Sequence, residues 1–191
     1  MGLDDYGPPG FEIEHAIGVV NLARLTDDVG LLLTALLVCC TNPEADSLIR
    51  GFEREDGLLE QLTLDDIGLC YAAKSVLLEE SMKVTLRVCR AGQVARACKT
   101  HSSCTRRFRE AIRELEDPKL TMAFADPGTR ALPIDNLLDG KGSSGVKLCE
   151  YCQQLVRERE SSERRAAWKK LPEIFKLTLP LALGGEAGQA D

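Results

Sequence analysis

A long stretch of small and apolar residues at helical spacing lies near the middle of the 191-residue chain. Thr63 precedes it and is followed by two acidic residues, a combination typical of a helix N-terminus. The apolar face then recurs at steps of three and four, at Ile67, Cys70, Ala73, Leu77, Ser81, Val84 and Val88. This spacing predicts one helix of about seven turns with a single apolar face. Because such a face must be buried against other elements, we expect an all-α fold of helices packed on helices.

The N-terminal part shows the same helical periodicity. Helices are predicted from Phe11 to Arg24, from Val29 to Cys40 and from Glu44 to Arg50. The second of these is apolar on nearly all sides, which indicates a central, buried position. Aromatic residues make up only 5% of the chain, and no segment shows β-alternation.

These patterns predict a helical-pair bundle over residues 11–90, after a disordered leader over residues 1–10. Five side chains of the bundle are expected to be buried against one another: Leu32, Leu36, Ile67, Ala73 and Leu77.

The C-terminal part is predicted to form a cysteine-linked helical subdomain over residues 91–178. Helices are expected over about residues 100–115 and 144–170, separated by an irregular loop over residues 119–145 that is rich in Gly, Pro and Asp. No apolar residue occurs from Arg157 to Arg165, which predicts a solvated stretch of helix. Apolar residues around Pro172 predict a terminal latch, and the small residues over 179–191 predict a disordered tail.

The eight cysteines of the chain fall into two groups. The N-terminus lacks the basic-then-apolar order of a signal peptide, so reduced thiols and an intracellular location are expected. Four cysteines lie in or beside apolar helical stretches and are expected to be core residues: Cys39, Cys40, Cys70 and Cys89. The other four and one histidine are candidate metal ligands: Cys98, His101, Cys104, Cys149 and Cys152.

The candidate ligands form two halves. Cys149 and Cys152 are a Cys-x2-Cys pair, a common half of a zinc site because two thiolates at this spacing reach one tetrahedral ion. Cys98 and Cys104 are separated by five residues, so either Cys98 or His101 can complete the other half. The pattern predicts one structural Zn²⁺ that links the two C-terminal helices. Filling of core positions and a redox-active thiol pair are the alternatives.

Motifs for catalysis are not found in the sequence, and we do not expect an enzyme. His15 is flanked by Glu12 and Glu14, which is typical of a surface histidine. Gly140-Lys-Gly-Ser143 lacks the upstream glycine and the strand of a phosphate-binding loop. No apolar run reaches the ~18 residues that span a bilayer.

The charge of the chain is unevenly distributed. The net charge is −6, but residues 1–83 carry 5 basic and 16 acidic groups, net −11, whereas residues 84–140 carry 10 and 7, net +3. An acidic half can attract basic partners. Glutamates flank the basic clusters at Arg106–Arg109 and Arg164–Lys170, so solvated helix faces are favoured there over nucleic-acid contacts.

The order of several segments resembles a known family. These segments are VVNLARLTDD at 19–28, ALLVCC at 35–40, LIRGFEREDG at 48–57 and LTLDDIGLC at 62–70, followed by the spaced cysteines and by residues 157–175. Over residues 13–178 the chain is similar to the region that follows the BTB domain in BTB/POZ-domain proteins of mushroom-forming fungi. The BTB domain itself is absent, so its dimerisation and cullin binding are not carried over.

The resemblance implies helices similar in position to the BACK helices of cullin adaptors. It also implies a role as an intracellular protein–protein interaction or scaffold module with unidentified protein partners. The alternative is a zinc-stabilised regulator that binds nucleic acid. The sequence leaves the oligomeric state open.

Overall fold

The computed structural model describes residues 15–41, 45–90, 94–114, 132–140 and 145–178. Apart from one small hairpin the described chain is helical, which confirms the predicted all-α fold class. The elements are α1 (Ala16–Leu25), α2 (Val29–Thr41), α3 (Ala45–Arg50), β1 (Phe52–Glu53), β2 (Leu59–Glu60), α4 (Leu64–Val88), α5 (His101–Glu114), α6 (Leu132–Asp139), α7 (Glu150–Trp168) and α8 (Leu171–Ile174). The predicted leader over residues 1–10 and tail over residues 179–191 lie outside the described residues.

The long helix α4 begins where the sequence predicts. The hydroxyl oxygen of Thr63 accepts a hydrogen bond from the backbone N–H of Asp66 at 3.1 Å, so Thr63 is the N-cap residue. The Asp66 carboxylate is buried, and Arg24 of α1 donates to it at 2.5 Å. This ion pair joins the end of α1 to the start of α4.

A first hydrophobic core lies among α1, α2 and the first half of α4. Helix α2 is buried from Leu32 to Cys40, as its apolar sequence predicts. Of the five side chains expected to pack together, four are buried and Ile67 is partly buried against the same cluster. The predicted packing of the N-terminal bundle is confirmed.

The hairpin β1–β2 is an element that the sequence analysis did not predict. Phe52 pairs with Glu60 and Glu53 with Leu59, across the Asp56–Gly57 turn. Gly51, just before β1, has a φ of +87°, and a Cβ there would overlap the backbone of Glu60. The strands are only two residues long, too short to show a period of two in the sequence.

A second hydrophobic core lies around α5, α6 and the first half of α7, packed on the end of α4. Its largest buried apolar side chains include Phe108, Ile134, Leu137 and Val156. Helix α4 therefore contributes to both cores, to the first near Cys70 and to the second near Val88.

The end of the described chain returns to the first core. Leu171 and Phe175, in and after α8, are buried in the cluster formed by α1, α2 and α4. Lys170 donates to Glu80 of α4 at 2.6 Å. The apolar latch predicted around Pro172 therefore packs on the N-terminal bundle, although Trp168 remains 37% exposed.

Two expectations for the C-terminal part are wrong in detail. The loop predicted to be irregular over residues 119–145 contains helix α6, because Ile134, Leu137 and Leu138 lie at helical spacing and are buried in the second core. The stretch predicted to be solvated contains Glu160, which is buried next to Arg164 at 3.7 Å. Packing of α7 on α4 accounts for this burial.

No helix in the described parts of the chain combines the length and the apolar character needed to cross a membrane.

Candidate metal centre

Four of the five predicted ligands come together in the structure. The sulfur atoms of Cys98, Cys104, Cys149 and Cys152 all lie within 4.8 Å of one another. Two of these cysteines are buried, Cys104 and Cys152, whereas Cys98 and Cys149 are partly exposed. We call this set the four-cysteine cluster. It lies at the edge of the second core, where the starts of α5 and α7 meet.

Local backbone structure sets the positions of the first two sulfurs. Cys98 ends a turn in which its N–H donates to the carbonyl oxygen of Ala95 at 2.9 Å. Cys104 lies in the first turn of α5, and the Thr100 hydroxyl is 3.3 Å from its sulfur. The turn before α5 and the helix itself thus supply one ligand atom each.

The Cys-x2-Cys pair occupies the N-terminus of α7. Cys149 is the N-cap residue, and the N–H of Cys152 donates to its carbonyl oxygen at 2.9 Å. Across the helix junction, the N–H of Cys149 donates to the sulfur of Cys104 at 3.4 Å. This bond couples the start of α7 directly to α5.

A backbone N–H group donates to one sulfur of the cluster, since Cys149 donates to Cys104 at 3.4 Å. The backbone at Thr100, Lys99 and Ala95 favours the thiolate forms of Cys98, Cys149 and Cys152, respectively. A nearby N–H stabilises a thiolate more than a thiol because its partial positive charge faces the sulfur. The backbone around the cluster therefore favours negatively charged sulfur.

The thiols do not ionise equally. Burial raises the pKa of Cys98 and of Cys152. Burial opposes ionisation of Cys149 as well, but the nearby backbone N–H of Cys152 and the neighbouring Cys98 thiol outweigh it and bring its pKa down to about 6. One thiolate therefore forms readily, and a second is disfavoured beside it. A divalent cation would remove that repulsion and allow all four thiols to ionise.

The sulfur separations fit one metal ion and do not fit disulfides. The sulfurs of Cys98 and Cys149 are 3.7 Å apart. A disulfide requires about 2.05 Å, whereas ligands at ~2.3 Å from a tetrahedral ion are about 3.8 Å apart. All eight cysteines are free thiols in the structure.

His101 lies outside the four-cysteine cluster. It is the first residue of α5, its side chain is exposed, and its Nδ1 is 3.5 Å from the Thr105 hydroxyl. The cluster contains Cys98 and not His101 because the turn at Cys98 brings its sulfur toward Cys149, whereas the first turn of α5 carries the His101 ring away.

The remaining four cysteines are core residues, as the sequence predicts. Cys39, Cys40 and Cys70 belong to the first core and Cys89 to the second. Thr100 is a contributor to the site that the sequence analysis missed. Its signal was its place at the start of a predicted helix, where a hydroxyl commonly caps the first turn.

Comparisons with protein-family models, with curated proteins and with solved structures found no significant match. The resemblance to the region after the BTB domain therefore stays a prediction, and support for the metal centre comes from geometry alone.

Proposed function

We propose that Cys98, Cys104, Cys149 and Cys152 bind one structural Zn²⁺, and that the chain is a protein-interaction scaffold stabilised by this ion. The single observation that carries the proposal is the mutual distance of 4.8 Å or less among the four sulfurs. Four protein ligands complete the tetrahedral shell of Zn²⁺ and leave no position for a substrate. A structural role follows, and a catalytic one does not.

The proposed ion would fasten segments that are distant in the sequence. The ligands come from the turn before α5, from α5 and from the start of α7, and Cys104 and Cys149 are 45 positions apart. The Cys104 sulfur already accepts from the Cys149 N–H, and nearby backbone groups favour the thiolate forms of the other three. These backbone groups would offset the excess negative charge of a Zn²⁺ with four thiolates.

Metal content tests the proposed centre directly. Protein purified without chelator should contain about one zinc per chain by elemental analysis. Cobalt-substituted protein should show the intense absorption of tetrahedral cobalt–thiolate coordination. The paired substitution Cys98→Ser and Cys149→Ser should abolish both signals, because it leaves two thiolate ligands.

Two matched controls separate the cluster from the other thiols. Cys89→Ala changes a buried cysteine of the same core outside the cluster, and His101→Ala removes the rejected candidate ligand. Both variants should keep one zinc per chain. Zinc-free wild-type protein after expression in zinc-supplemented medium would contradict the proposal, and so would an unchanged zinc content in the paired serine variant.

The proposed scaffold role rests on the exposed surface of α4. Five large apolar side chains on this helix are substantially exposed: Leu64, Tyr71, Val76, Met82 and Leu86. Aromatic residues and Met, such as Tyr71 and Met82, are enriched in protein–protein interfaces relative to the rest of the surface. Since residues 1–83 carry a net charge of −11, the proposed partner presents a basic segment with apolar anchors.

A paired variant tests this surface. Tyr71→Asp with Met82→Asp should abolish binding of a protein that the wild type captures from nuclease-treated lysate and that binds again in purified form. The control is Leu25→Asp with Leu58→Asp, which adds the same charge at side chains that are 84% and 60% exposed. Equal loss in both variants, or capture that disappears on nuclease treatment, would contradict the proposed surface.

A further inference from the structure

The charged side chains of α5 are arranged differently from those of α7. Helix α5 carries four arginines and two glutamates, whereas α7 carries four of each sign. One arginine of α5, Arg107, is fully buried. The other three lie at steps of three and four and are exposed: Arg106, Arg109 and Arg113. We call these three residues the arginine stripe.

Both glutamates of α5 face the buried arginine. Arg107 Nη1 lies 3.1 Å from Glu114 and 3.8 Å from Glu110, and each glutamate side chain is only 15% exposed. Glu114 is therefore paired with the buried charge, and Glu110 is shared between Arg107 and Arg106. The exposed charged side chains of α5 are those of the arginine stripe, and all of them are positive.

Among the described residues, few other carboxylates compensate the charge of the arginine stripe. Arg106 lies 3.9 Å from Glu110, at the limit of an ion pair. Arg109 and Arg113 form no ion pair with the parts of the chain that the structure describes. On α7, by contrast, Arg164 faces Glu160 at 3.7 Å, and Glu163 accepts from Arg87 at 2.9 Å. The stripe is a concentrated positive surface in a protein whose net charge is −6.

A cation and an aromatic ring lie beside each other next to the start of α5. Lys99 lies two residues before the helix, and its Nζ is 5.7 Å from the centroid of the Tyr151 ring. Tyr151 is 42% exposed, so its ring is accessible. Glu150 contributes one negative charge beside Tyr151, against the positive charges of Arg96, Lys99 and Lys147 in the adjoining segments.

We propose that the arginine stripe, Lys99 and Tyr151 form a binding surface for single-stranded nucleic acid. Arginine pairs with phosphate through two parallel hydrogen bonds, and successive turns of α5 place the three guanidinium groups about 5 Å apart along the axis. The exposed ring offers a stacking surface for an unpaired base. This aromatic component favours a single strand over an acidic peptide. The surface is independent of the scaffold surface on α4.

Fluorescence anisotropy with a labelled 15-nucleotide oligo(dT) tests the proposal on the full chain. We expect a Kd on the order of 10–100 µM at 50 mM salt, typical of non-specific binding through few phosphates. Four phosphate contacts predict a slope of about −3 for log K against log salt concentration on a single strand. No binding at 50 mM salt with protein at about 500 µM would overturn the proposal.

Charge-matched variants show where the strand binds. Arg106→Glu, Arg109→Glu and Arg113→Glu together should weaken binding at least tenfold. The control triple variant is Arg50→Glu, Arg157→Glu and Arg165→Glu, which changes the net charge equally at exposed arginines away from the stripe. It should weaken binding less than threefold. Equal weakening by both variants would overturn the assignment to the stripe.

Substitution of the aromatic ring distinguishes a nucleic acid from other anions. Tyr151→Ala should weaken oligo(dT) binding about fivefold or more, and Tyr151→Phe should not, because stacking requires only the ring. Competition completes the test: poly-glutamate or duplex DNA that displaces oligo(dT) more effectively than unlabelled oligo(dT) would overturn the choice of a single strand.

Discussion

The two hydrophobic cores share helix α4 but hold their cysteines in different surroundings. In the first core, Cys39, Cys40 and Cys70 lie inside an apolar interior. In the second, four cysteines lie at the edge of the core, where two are partly exposed and the Cys149 N–H donates to the Cys104 sulfur. The comparison shows that the chemistry of a cysteine depends on the polar groups around it and on how many thiols share the position.

The pKa values of the cysteines also differ between the two regions. Hydrogen bonding to Cys70, together with burial, raises the pKa of Cys39 and of Cys40, so these two remain protonated and inert. Cys149, at the N-terminus of α7, has a lowered pKa. Cys70 is the exception in the first core, because hydrogen bonds from the Cys39 and Cys40 thiols lower its pKa to about 4. Since Cys70 is buried and Cys149 is partly exposed, only the second region offers a low-pKa thiol that is accessible.

Removal of the proposed Zn²⁺ is expected to have the largest effect and to separate the two regions. A chelator should greatly increase amide exchange in α5 and the first turns of α7, because structural zinc contributes on the order of 10 kcal/mol in small zinc-dependent domains. Protection in α1 and α2 should change little. Hydrogen-exchange mass spectrometry measures both, and equal loss of protection in α2 and α5 would contradict a centre that acts on the second region.

Leu36→Asp is expected to break the first core. Leu36 is fully buried in α2, and an unpaired carboxylate there costs several kcal/mol. Thermal unfolding followed by circular dichroism should show loss of the main transition. Leu22→Asp is the control, since Leu22 is 52% exposed, and its melting temperature should stay close to that of the wild type. Wild-type stability of Leu36→Asp would mean that α2 is not central.

Phe175→Ala should show that the end of the chain belongs to the first core. Removal of this fully buried ring is expected to lower the free energy of unfolding by about 3–5 kcal/mol. Trp168→Ala, at a partly exposed ring, should cost clearly less. Denaturant unfolding gives both values, and hydrogen exchange should show lost protection in α1 and α2. Loss of protection in α5 and α6 alone would contradict the packing of α8 on the first core.

The smallest expected effect concerns the ion pair between Lys170 and Glu80 of α4. Hydrogen bonds from Lys170 and Lys83 lower the pKa of Glu80. A carboxyl with a lower pKa in the folded state stabilises the protein above its unfolded pKa of about 4.3, and this contribution is lost as the pH falls through the folded pKa.

Lys170→Met tests this pair. It should reduce stability by about 1 kcal/mol or less at pH 7, and the difference from wild type should shrink below about pH 4. Urea unfolding at pH 7, 5 and 3.5 measures the difference. A difference that stays constant over this range would assign the effect to lost packing and not to charge.

Local sequence patterns predicted most of the helices. The bounds of α2, α3, α4 and α5 agree with the expected ones to within about one residue, because apolar periodicity and a Thr N-cap are local signals. Helix α6 was missed, since the Gly and Pro residues around it indicate a loop and its apolar side chains are few. Helix α6 is stable only because its apolar side chains are buried in the second core.

The candidate site was predicted less completely than the helices. The Cys-x2-Cys spacing at Cys149 and Cys152 is a local signal and identified one half of the site. The other half left Cys98 and His101 as alternatives, because both have suitable spacing from Cys104. The exposed charge of α5 was underestimated for a related reason, since the sequence does not reveal that Glu110 and Glu114 face the buried Arg107.

By itself, the sequence determined the helical class, the positions of the main helices and the residue types able to bind a metal. These follow from interactions within a few turns of the chain. The tertiary structure decided that Cys98 lies beside Cys149, that α8 packs on the first core and that the positive charge of α5 stays on its surface. Each of these depends on how segments tens of residues apart dock against one another, and local spacing carries no information about that docking.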